Sequence, residues 1–261
     1  MFAIAVLAPY LTLLAVSVSR SWGLAFWQNL TLQHYRFVLF EYDVTRRAIR
    51  QQLCCWPAAA ATLTRRCSAA SSAGSICVRR CADARLLDYA SLIPLGLPGI
   101  VVAVALIQFW LRMPVPIYGT LLIILLAYTG RYVPLAVRSA NAAFRQIDPA
   151  LEESARITGA GWLRTFGAVT LPLARPGLFA GWLLVFVPAI QELSASILLF
   201  SSQSITLAVA VYNLYETGAL EPVAALAIVT MVIITVAIAL ATRLGRGGPR
   251  SPRVDGAGVA Q

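Results

Sequence analysis

Charge is scarce in this sequence, and one charged residue type is missing altogether. Charged residues make up 12% of the 261 residues, about half of the roughly 25% found in soluble globular proteins. No lysine is present, so all 21 basic residues are arginine, against 11 acidic residues and one histidine. Hydrophobic residues make up 59%, which is more apolar surface than a water-soluble globule of this length can bury. The composition therefore argues against a soluble enzyme and against a disordered chain.

Signals for catalysis and nucleotide binding are also lacking. The sequence contains no G-x-x-x-x-G-K-[ST] phosphate-binding loop. A membrane-embedded enzyme would need clustered catalytic groups, but His34 and Glu192 are isolated in separate segments. We therefore expect no catalytic residues, no cofactor and no metal site. The net charge of +10 does not indicate nucleic acid, because the arginines lie between long apolar runs, as in the cytoplasmic loops of membrane proteins.

Five uncharged or nearly uncharged runs have the length needed to cross a bilayer, which takes about 20 helical residues. They cover residues 2–19, 89–111, 113–130 with a continuation at 132–137, 176–215 and 222–242. We predict an all-α, polytopic membrane protein. The first run lacks the basic segment of a signal peptide, so we interpret it as a membrane helix, with a cleaved signal as the alternative. The missing segment also fits a chain that begins inside a longer parent protein.

The arginines predict the orientation of these helices. Residues 138–175 hold five Arg against three acids and residues 243–261 hold four Arg against one, whereas residues 201–221 hold two Glu and no Arg. The positive-inside rule places the first two segments in the cytoplasm and the third outside. The basic segment 20–50 would then lie outside, in conflict with the rule. Residues 246–261, with several Gly and Pro, are predicted to form a disordered cytoplasmic tail.

Residues 51–84 do not fit this pattern. Their uncharged stretches, 51–64 and 67–78, have only 14 and 12 residues and are separated by an Arg pair. Neither is long enough to span a bilayer. If 138–175 and the tail are both cytoplasmic, however, a second helix must return here, before the run at 89–111. All five cysteines also fall in this stretch, between Cys54 and Cys81.

Two interpretations of the cysteines are open. A metal or redox site is one, but the spacing matches no paired CxxC pattern and no His lies nearby. The other is a local shift of the reading frame. In a GC-rich gene, CTG-CTG-CTG-GCC encodes Leu-Leu-Leu-Ala, and one base later it reads Cys-Cys-Trp-Pro, the string at 54–57. Resequencing tests this hypothesis, which is wrong if neither other frame encodes an apolar helix.

The most specific motif lies in the predicted cytoplasmic loop. From Glu153 the sequence reads E-S-A-R-I-T-G, and after nine further residues V-T-L-P, ending at Pro172. It resembles the EAA loop of bacterial ABC importer permeases, which has Glu, two small residues, three variable residues, Gly, nine variable residues and aliphatic-x-Leu-Pro. Ser154 stands where the first small residue is usually Ala. The matching residues are Glu153, Ala155, Gly159, Val169, Leu171 and Pro172.

The resemblance implies a coupling loop at 145–175, whose short helix sits in a groove of a separate ABC ATPase. The residues fit such a helix, because Asp148 suits an N-cap, Pro149 the first helical position, and Gly159 a turn after the helix. A second short helix is predicted around 162–168. The alternative is a surface helix with no partner. The candidate ATPase-coupling residues are Leu151, Glu152, Glu153, Ala155, Gly159, Ala160, Leu171 and Pro172.

The resemblance extends to residues 1–50 and 85–245, which look like the second half of permeases for ferric-iron uptake. It rests on R-F-V-L-F at 36–40, L-I-P-L-G-L-P-G-I at 92–100, R-Q-I-D-P-A-L-E-E-S-A-R at 145–156 and E-L-S-A-S-I-L-L at 192–199. It implies a six-helix permease domain at 1–245 in the bacterial inner membrane, with both termini cytoplasmic. The implied partners are an ABC ATPase, a second permease half, a periplasmic binding protein and the lipid bilayer.

The same resemblance implies alternating access driven by the ATPase, and it leaves three questions open. Residues 51–84 depart from the family, so a non-functional product of a frameshifted gene is one alternative. The family often carries two halves in one chain, so this chain is either a half-size subunit or a C-terminal fragment. Related permeases share the loop, so the cargo is ferric iron or, alternatively, phosphonate, polyamine, thiamine or sulfate.

Glu192 is the one acid embedded in an apolar run. Carboxylates at membrane depth are costly and usually face protein or water. Together with Gln191, Ser194 and Ser196, it is a candidate for lining the translocation path. The alternative is a glutamate at the membrane boundary that is paired or solvated.

Overall fold

A computed structural model describes residues 2–21, 30–52 and 92–245 of the protein, and these residues are mainly helical. The prediction of an all-α protein is confirmed for this part of the chain. The helices are Phe2–Val18 (α1), Gln33–Arg36 (α2), 43–52 (α3), Gly99–Leu111 (α4), Leu121–Arg145 (α5), Pro149–Ile157 (α6), Trp162–Thr165 (α7), Leu171–Gln191 (α8), Ser196–Leu199 (α9), Leu207–Glu216 (α10) and Leu220–Gly245 (α11). π-helical turns continue α2 over Phe37–Glu41 and join α7 to α8 over Phe166–Thr170.

Within the described residues, two continuous helices are long and apolar enough to cross a membrane, Phe166–Gln191 and Leu220–Arg243. A third span results if Leu121–Tyr132 and Pro134–Arg145 are counted together, although they meet at an angle of 50°. The helices Leu7–Val18 and Gly99–Leu111 are apolar but shorter.

Proline and glycine account for the helix boundaries that differ from the predicted runs. α5 begins at Leu121 and not at residue 113, because the preceding loop contains Pro114, Pro116 and Gly119, whose φ is +81°. Pro134 lies where α5 bends, as expected from the hydrogen bond that proline removes. A helical turn at 92–96 is likewise interrupted before Gly99, where Pro98 precedes the helix.

The long helices pack around α8. α5 runs along one side of α8, and α11 contacts both α8 and α1. Gly177 of α8 lies against Ala143 of α5, where an added Cβ would overlap the alanine. Small residues at a helix contact let the backbones approach closely, as is common in membrane proteins.

Two apolar clusters form the interior. The larger one joins α4, α5, α8 and α9, and its largest fully buried side chains include Tyr128, Phe186 and Ile190. The smaller one joins Val38 and Ala48 to α10 and α11. Large apolar side chains remain exposed along α1, α4 and α11, which suits helices whose outer faces meet lipid.

The first two residues of the anomalous stretch belong to this folded body. The Gln51 side chain accepts a hydrogen bond from the Ile205 N–H (3.0 Å) and donates one to the Gln203 carbonyl (2.5 Å). Gln52 accepts one from the Leu207 N–H (3.3 Å). The rest of 51–84 with all five cysteines, and the tail 246–261, lie outside the described residues, so the hypotheses about them stay hypotheses.

Candidate coupling loop and buried polar cluster

The candidate coupling helix α6 begins at a capped N-terminus. Asp148 has an extended backbone, and its Oδ1 accepts a hydrogen bond from the Ala150 N–H at 3.0 Å. Pro149 follows as the first helical residue, where its missing N–H is not needed. Both roles agree with the sequence prediction. The cap satisfies one of the free N–H groups and fixes where the helix starts.

The end of α6 is also determined by its own sequence. Gly159 has a φ of +85°, and its N–H donates to the Arg156 carbonyl at 2.9 Å. The Ala160 N–H donates to the Ala155 carbonyl at 3.2 Å. This pair of bonds is the Schellman motif, which places glycine in the left-handed conformation after a helix. It explains why the candidate motif has Gly at 159.

The outer surface of α6 is partly apolar. Ile157 is 86% exposed, and Leu151 and Glu153 are also exposed. α6 therefore exposes two large aliphatic side chains and one acidic side chain along its nine residues.

Glu152 points in a different direction from Glu153. Its Oε1 accepts a hydrogen bond from the Thr170 hydroxyl at 2.9 Å, and Thr170 is only 3% exposed. Thr170 is the last residue of the π-helical turn, and Leu171 and Pro172 begin α8 directly after it. α6 is thereby connected to the start of the helix α8. We call this start, at Thr170, Leu171 and Pro172, the foot of α8.

At the other end, α8 terminates at a buried polar cluster around Glu192. Glu192 has an extended backbone (φ −72°, ψ +103°) and is 8% exposed. Its Oε2 accepts a hydrogen bond from the Tyr132 hydroxyl at 2.6 Å. Its Oε1 lies 3.5 Å from Nη1 of Arg131 and accepts the Ala195 N–H at 3.2 Å. The carboxylate is thus both ion-paired and hydrogen-bonded, as a buried charge requires.

The backbone of Glu192 is held as well as its side chain. The hydroxyls of Tyr128 and Ser196 donate to its carbonyl oxygen at 2.9 and 2.7 Å, and they contact each other. A Cβ added at Gly99 would lie 2.5 Å from Nη1 of Arg131 and 2.7 Å from Oε1 of Glu192. The start of α4 therefore closes the cluster from a third side, and only glycine leaves room for the ion pair.

The four candidate path residues fall into two pairs. Glu192 and Ser196 are buried within the cluster, whereas Gln191 and Ser194 are exposed beside it. Sequence reasoning missed Arg131, Tyr132, Tyr128 and Gly99. A signal existed for Arg131, since it is the one charge within the apolar stretch 113–137. A lone basic residue and a lone acid in apolar runs are expected to pair.

Three interruptions of helices meet at this ion pair. They are the break before Gly99, the bend of α5 next to Tyr132, and the gap between α8 and α9 that contains Glu192. Irregular backbone at membrane depth needs polar partners within the protein. The Glu192 cluster supplies such partners for the gap between α8 and α9.

One known protein family matches most of the described part of the chain. The sequence model of the family described as "Binding-protein-dependent transport system inner membrane component" matches residues 76–247. This range includes the coupling loop and the Glu192 cluster.

The similar curated proteins include metal-uptake permeases. The Fe(3+)-transport system permease protein FbpB 2 of Haemophilus influenzae is 32% identical over 118 residues, which cover 45% of this chain and 23% of the relative. The molybdenum transport system permease protein ModB of Escherichia coli is 36% identical over 114 residues, 42% of this chain and 48% of the relative. The matched part of the chain thus spans less than half of either relative.

Solved structures show the same fold at low sequence identity. The bacterial alginate ABC transporter in complex with an alginate-bound periplasmic protein contains a chain that matches with a TM-score of 0.66 and 17% identity, covering 94% of this chain and 90% of that one. A chain of the inward-facing MetNI methionine ABC transporter matches with a TM-score of 0.55 and 16% identity, covering 80% of this chain and 99% of that one.

Proposed function

The chain belongs to the family of binding-protein-dependent transport system inner membrane components, and we propose that it is the transmembrane permease subunit of an ATP-driven importer. As a member of this family it is a multi-pass inner-membrane permease and is not itself an enzyme. We propose six membrane helices, with both termini in the cytoplasm. Its partners would be an ABC ATPase, a second permease half and a periplasmic substrate-binding protein.

This proposal rests on the conformation of the loop that contains α6. α6 is capped at both ends by its own residues, and it presents Leu151, Glu153 and Ile157 to the surface. A short helix that is held in one conformation loses little entropy when it binds a partner. We propose that α6 inserts into a groove of the ATPase, with Gly159 and Ala160 shaping its end. Leu171 and Pro172 then begin the membrane helix that follows the movement of the loop.

We propose that the translocation path runs beside the gap between α8 and α9. Gln191 and Ser194 are exposed there and supply hydrogen-bonding groups, while Glu192 and Ser196 hold the gap in shape from within. A Ser194→Trp variant should then block uptake but retain the ATPase. Full uptake by this variant would place the path elsewhere.

Ferric iron is the proposed cargo, supported by the resemblance in sequence and by the relative named for Fe(3+) transport. Molybdate is a second candidate, because a relative of 36% identity is named for molybdenum transport. Uptake assays distinguish the two cargoes. They use the binding protein encoded by a neighbouring gene, loaded with labelled ferric iron or with labelled molybdate. Import of molybdate alone would overturn the ferric proposal.

Reconstitution with the cognate ATPase tests the proposed role. The wild-type chain should co-purify with the ATPase and stimulate ATP hydrolysis in vesicles when the loaded binding protein is present. Glu153→Lys should abolish binding and stimulation without loss of membrane insertion, because it reverses the charge of an exposed residue on α6. Unchanged ATPase binding in this variant would contradict the proposed interface.

The same preparation separates a working permease from the product of a damaged gene. If the second helix is defective, the wild-type chain itself should insert incorrectly and fail to bind the ATPase. A reporter fused after Gln261 gives the side of the membrane on which the C-terminus lies. A periplasmic reporter signal would contradict the proposed orientation.

A further inference from the structure

The two adjacent glutamates of the coupling helix have different surroundings. Neighbouring residues of an α-helix point about 100° apart. Glu153 is exposed, whereas Glu152 is partly buried and its Oε1 accepts the Thr170 hydroxyl at 2.9 Å. We propose that Glu152 is a positioning residue that transmits the movement of α6 to α8 through Thr170, without contacting the ATPase itself. This inference rests on the proposed function.

The Thr170 hydroxyl bonds to a distant side chain, not to the local carbonyl that a helical threonine commonly uses. Threonine within a helix commonly donates to a backbone carbonyl one turn earlier, as Thr12 and Thr230 do in this protein. Thr170 donates instead to a carboxylate 18 residues away in the sequence. A hydrogen bond to a charged acceptor is stronger than one between neutral groups, and burial of one partner strengthens it further.

The position of Thr170 suits a point of force transfer. It ends the π-helical turn Phe166–Thr170, and the Leu171 N–H donates back to the Phe166 carbonyl. π-helical turns are rare and frequently occur at functional sites. A displacement of α6 acts through Glu152 on the residue immediately before α8.

A second contact accompanies this hydrogen bond. The rings of Phe144, at the end of α5, and Phe166 lie 6.1 Å apart between centroids. The loop is therefore packed at the membrane side and exposed at Ile157 and Glu153. α8 has 21 residues, a length of about 30 Å, and it ends at the Glu192 cluster. Movement at its foot is thus delivered to the gap where we propose the path.

The test compares three threonine variants in the reconstituted complex. Thr170→Val keeps the shape of the side chain but removes the donor, and Thr170→Ser keeps the donor. Thr158→Val is the matched control in the same loop, because the Thr158 hydroxyl bonds only locally to Ala155 at 2.8 Å. The readouts are the affinity for the ATPase and the substrate imported per ATP hydrolysed.

We expect Thr170→Val to lower the import per ATP about tenfold, which corresponds to about 1.4 kcal/mol, with unchanged ATPase affinity. Thr170→Ser and Thr158→Val should behave as wild type. Wild-type coupling in Thr170→Val overturns the inference, and so does a parallel loss of ATPase affinity, which would mean that the contact only shapes the docking surface. Glu152→Gln, which retains an acceptor oxygen, should lower coupling less than Glu152→Ala. A wild-type chain that binds no ATPase would instead refute the proposed function.

Discussion

The two ends of α8 are built in opposite ways. Beside the foot, the candidate coupling helix α6 is held by bonds between residues close in the sequence, such as Asp148 with Ala150 and Ala155 with Ala160. At the other end, Glu192 is held by Tyr132 and Arg131, which lie 60 and 61 residues away. Most side chains of α6 are exposed, whereas Glu192 is buried. The ends of α6 are therefore encoded by nearby residues, whereas the Glu192 cluster forms only when the helices pack.

The largest effect is expected from removing one partner of the buried ion pair. Arg131 is 19% exposed and Glu192 is 8% exposed, so either Arg131→Ala or Glu192→Ala leaves the other charge uncompensated. Breaking a buried pair in this way costs about 3–5 kcal/mol. The midpoint of thermal unfolding in detergent should fall strongly, and uptake should be lost.

The control for this prediction is the exposed pair between Arg36 and Glu41, whose side chains are 79% and 57% exposed. Surface pairs contribute about 0–1 kcal/mol, so Glu41→Gln should hardly move the unfolding midpoint. Equal shifts in the buried and the exposed variants would show that the Glu192 cluster is not a stabilising contact.

A smaller effect is expected from filling the space beside the ion pair. An added Cβ at Gly99 would lie within 2.7 Å of both charged side chains, whereas nothing lies within 4 Å at Gly96. Overpacking typically costs about 1–3 kcal/mol. Gly99→Ala should therefore lower the unfolding midpoint, and Gly96→Ala, three residues earlier, should not. Similar midpoints for both variants would mean that α4 does not close the cluster.

The smallest effect on the whole molecule is expected at the C-terminal end of α6. Gly159 has a φ of +85°, and Gly161 is not among the glycines of positive φ. An alanine held in the left-handed conformation costs roughly 1–2 kcal/mol. Gly159→Ala should therefore loosen the end of α6 and weaken ATPase binding, while global unfolding stays near wild type. Gly161→Ala is the matched control and should bind normally. A large shift of the unfolding midpoint in Gly159→Ala would contradict the local character of the end of α6.

Features that depend on local contacts could be predicted from the sequence, and those that depend on helix packing could not. The cap at Asp148, the turn at Gly159 and the second short helix near 162 were predictable, because each depends on contacts within a few residues. Their proposed contact with an ATPase stays a prediction. The start of α5 was predicted eight residues early, because counting uncharged residues ignores the prolines and the glycine that keep residues 113–120 out of the helix.

The Glu192 cluster shows where prediction stopped. Glu192 stood out as a single acid in an apolar run, but its burial and its partners depend on how α4, α5 and α8 pack. In the prediction from sequence, Arg131 only separates the apolar run 113–130 from its continuation at 132–137. Opposite charge suggests that the two residues pair, yet nothing local requires Gly99 to leave room for them or Tyr132 to donate to the carboxylate.

By itself, the sequence determined the membrane class, the family resemblance and the short helix α6 with its two ends. Apolar runs and capping residues act over a few residues, so they can be recognised without the fold. The tertiary structure decided that Glu152 turns inward to Thr170 while Glu153 faces out, and that Arg131 neutralises Glu192. These contacts join residues 18 and 61 positions apart, and such distances are closed only when the helices pack around α8.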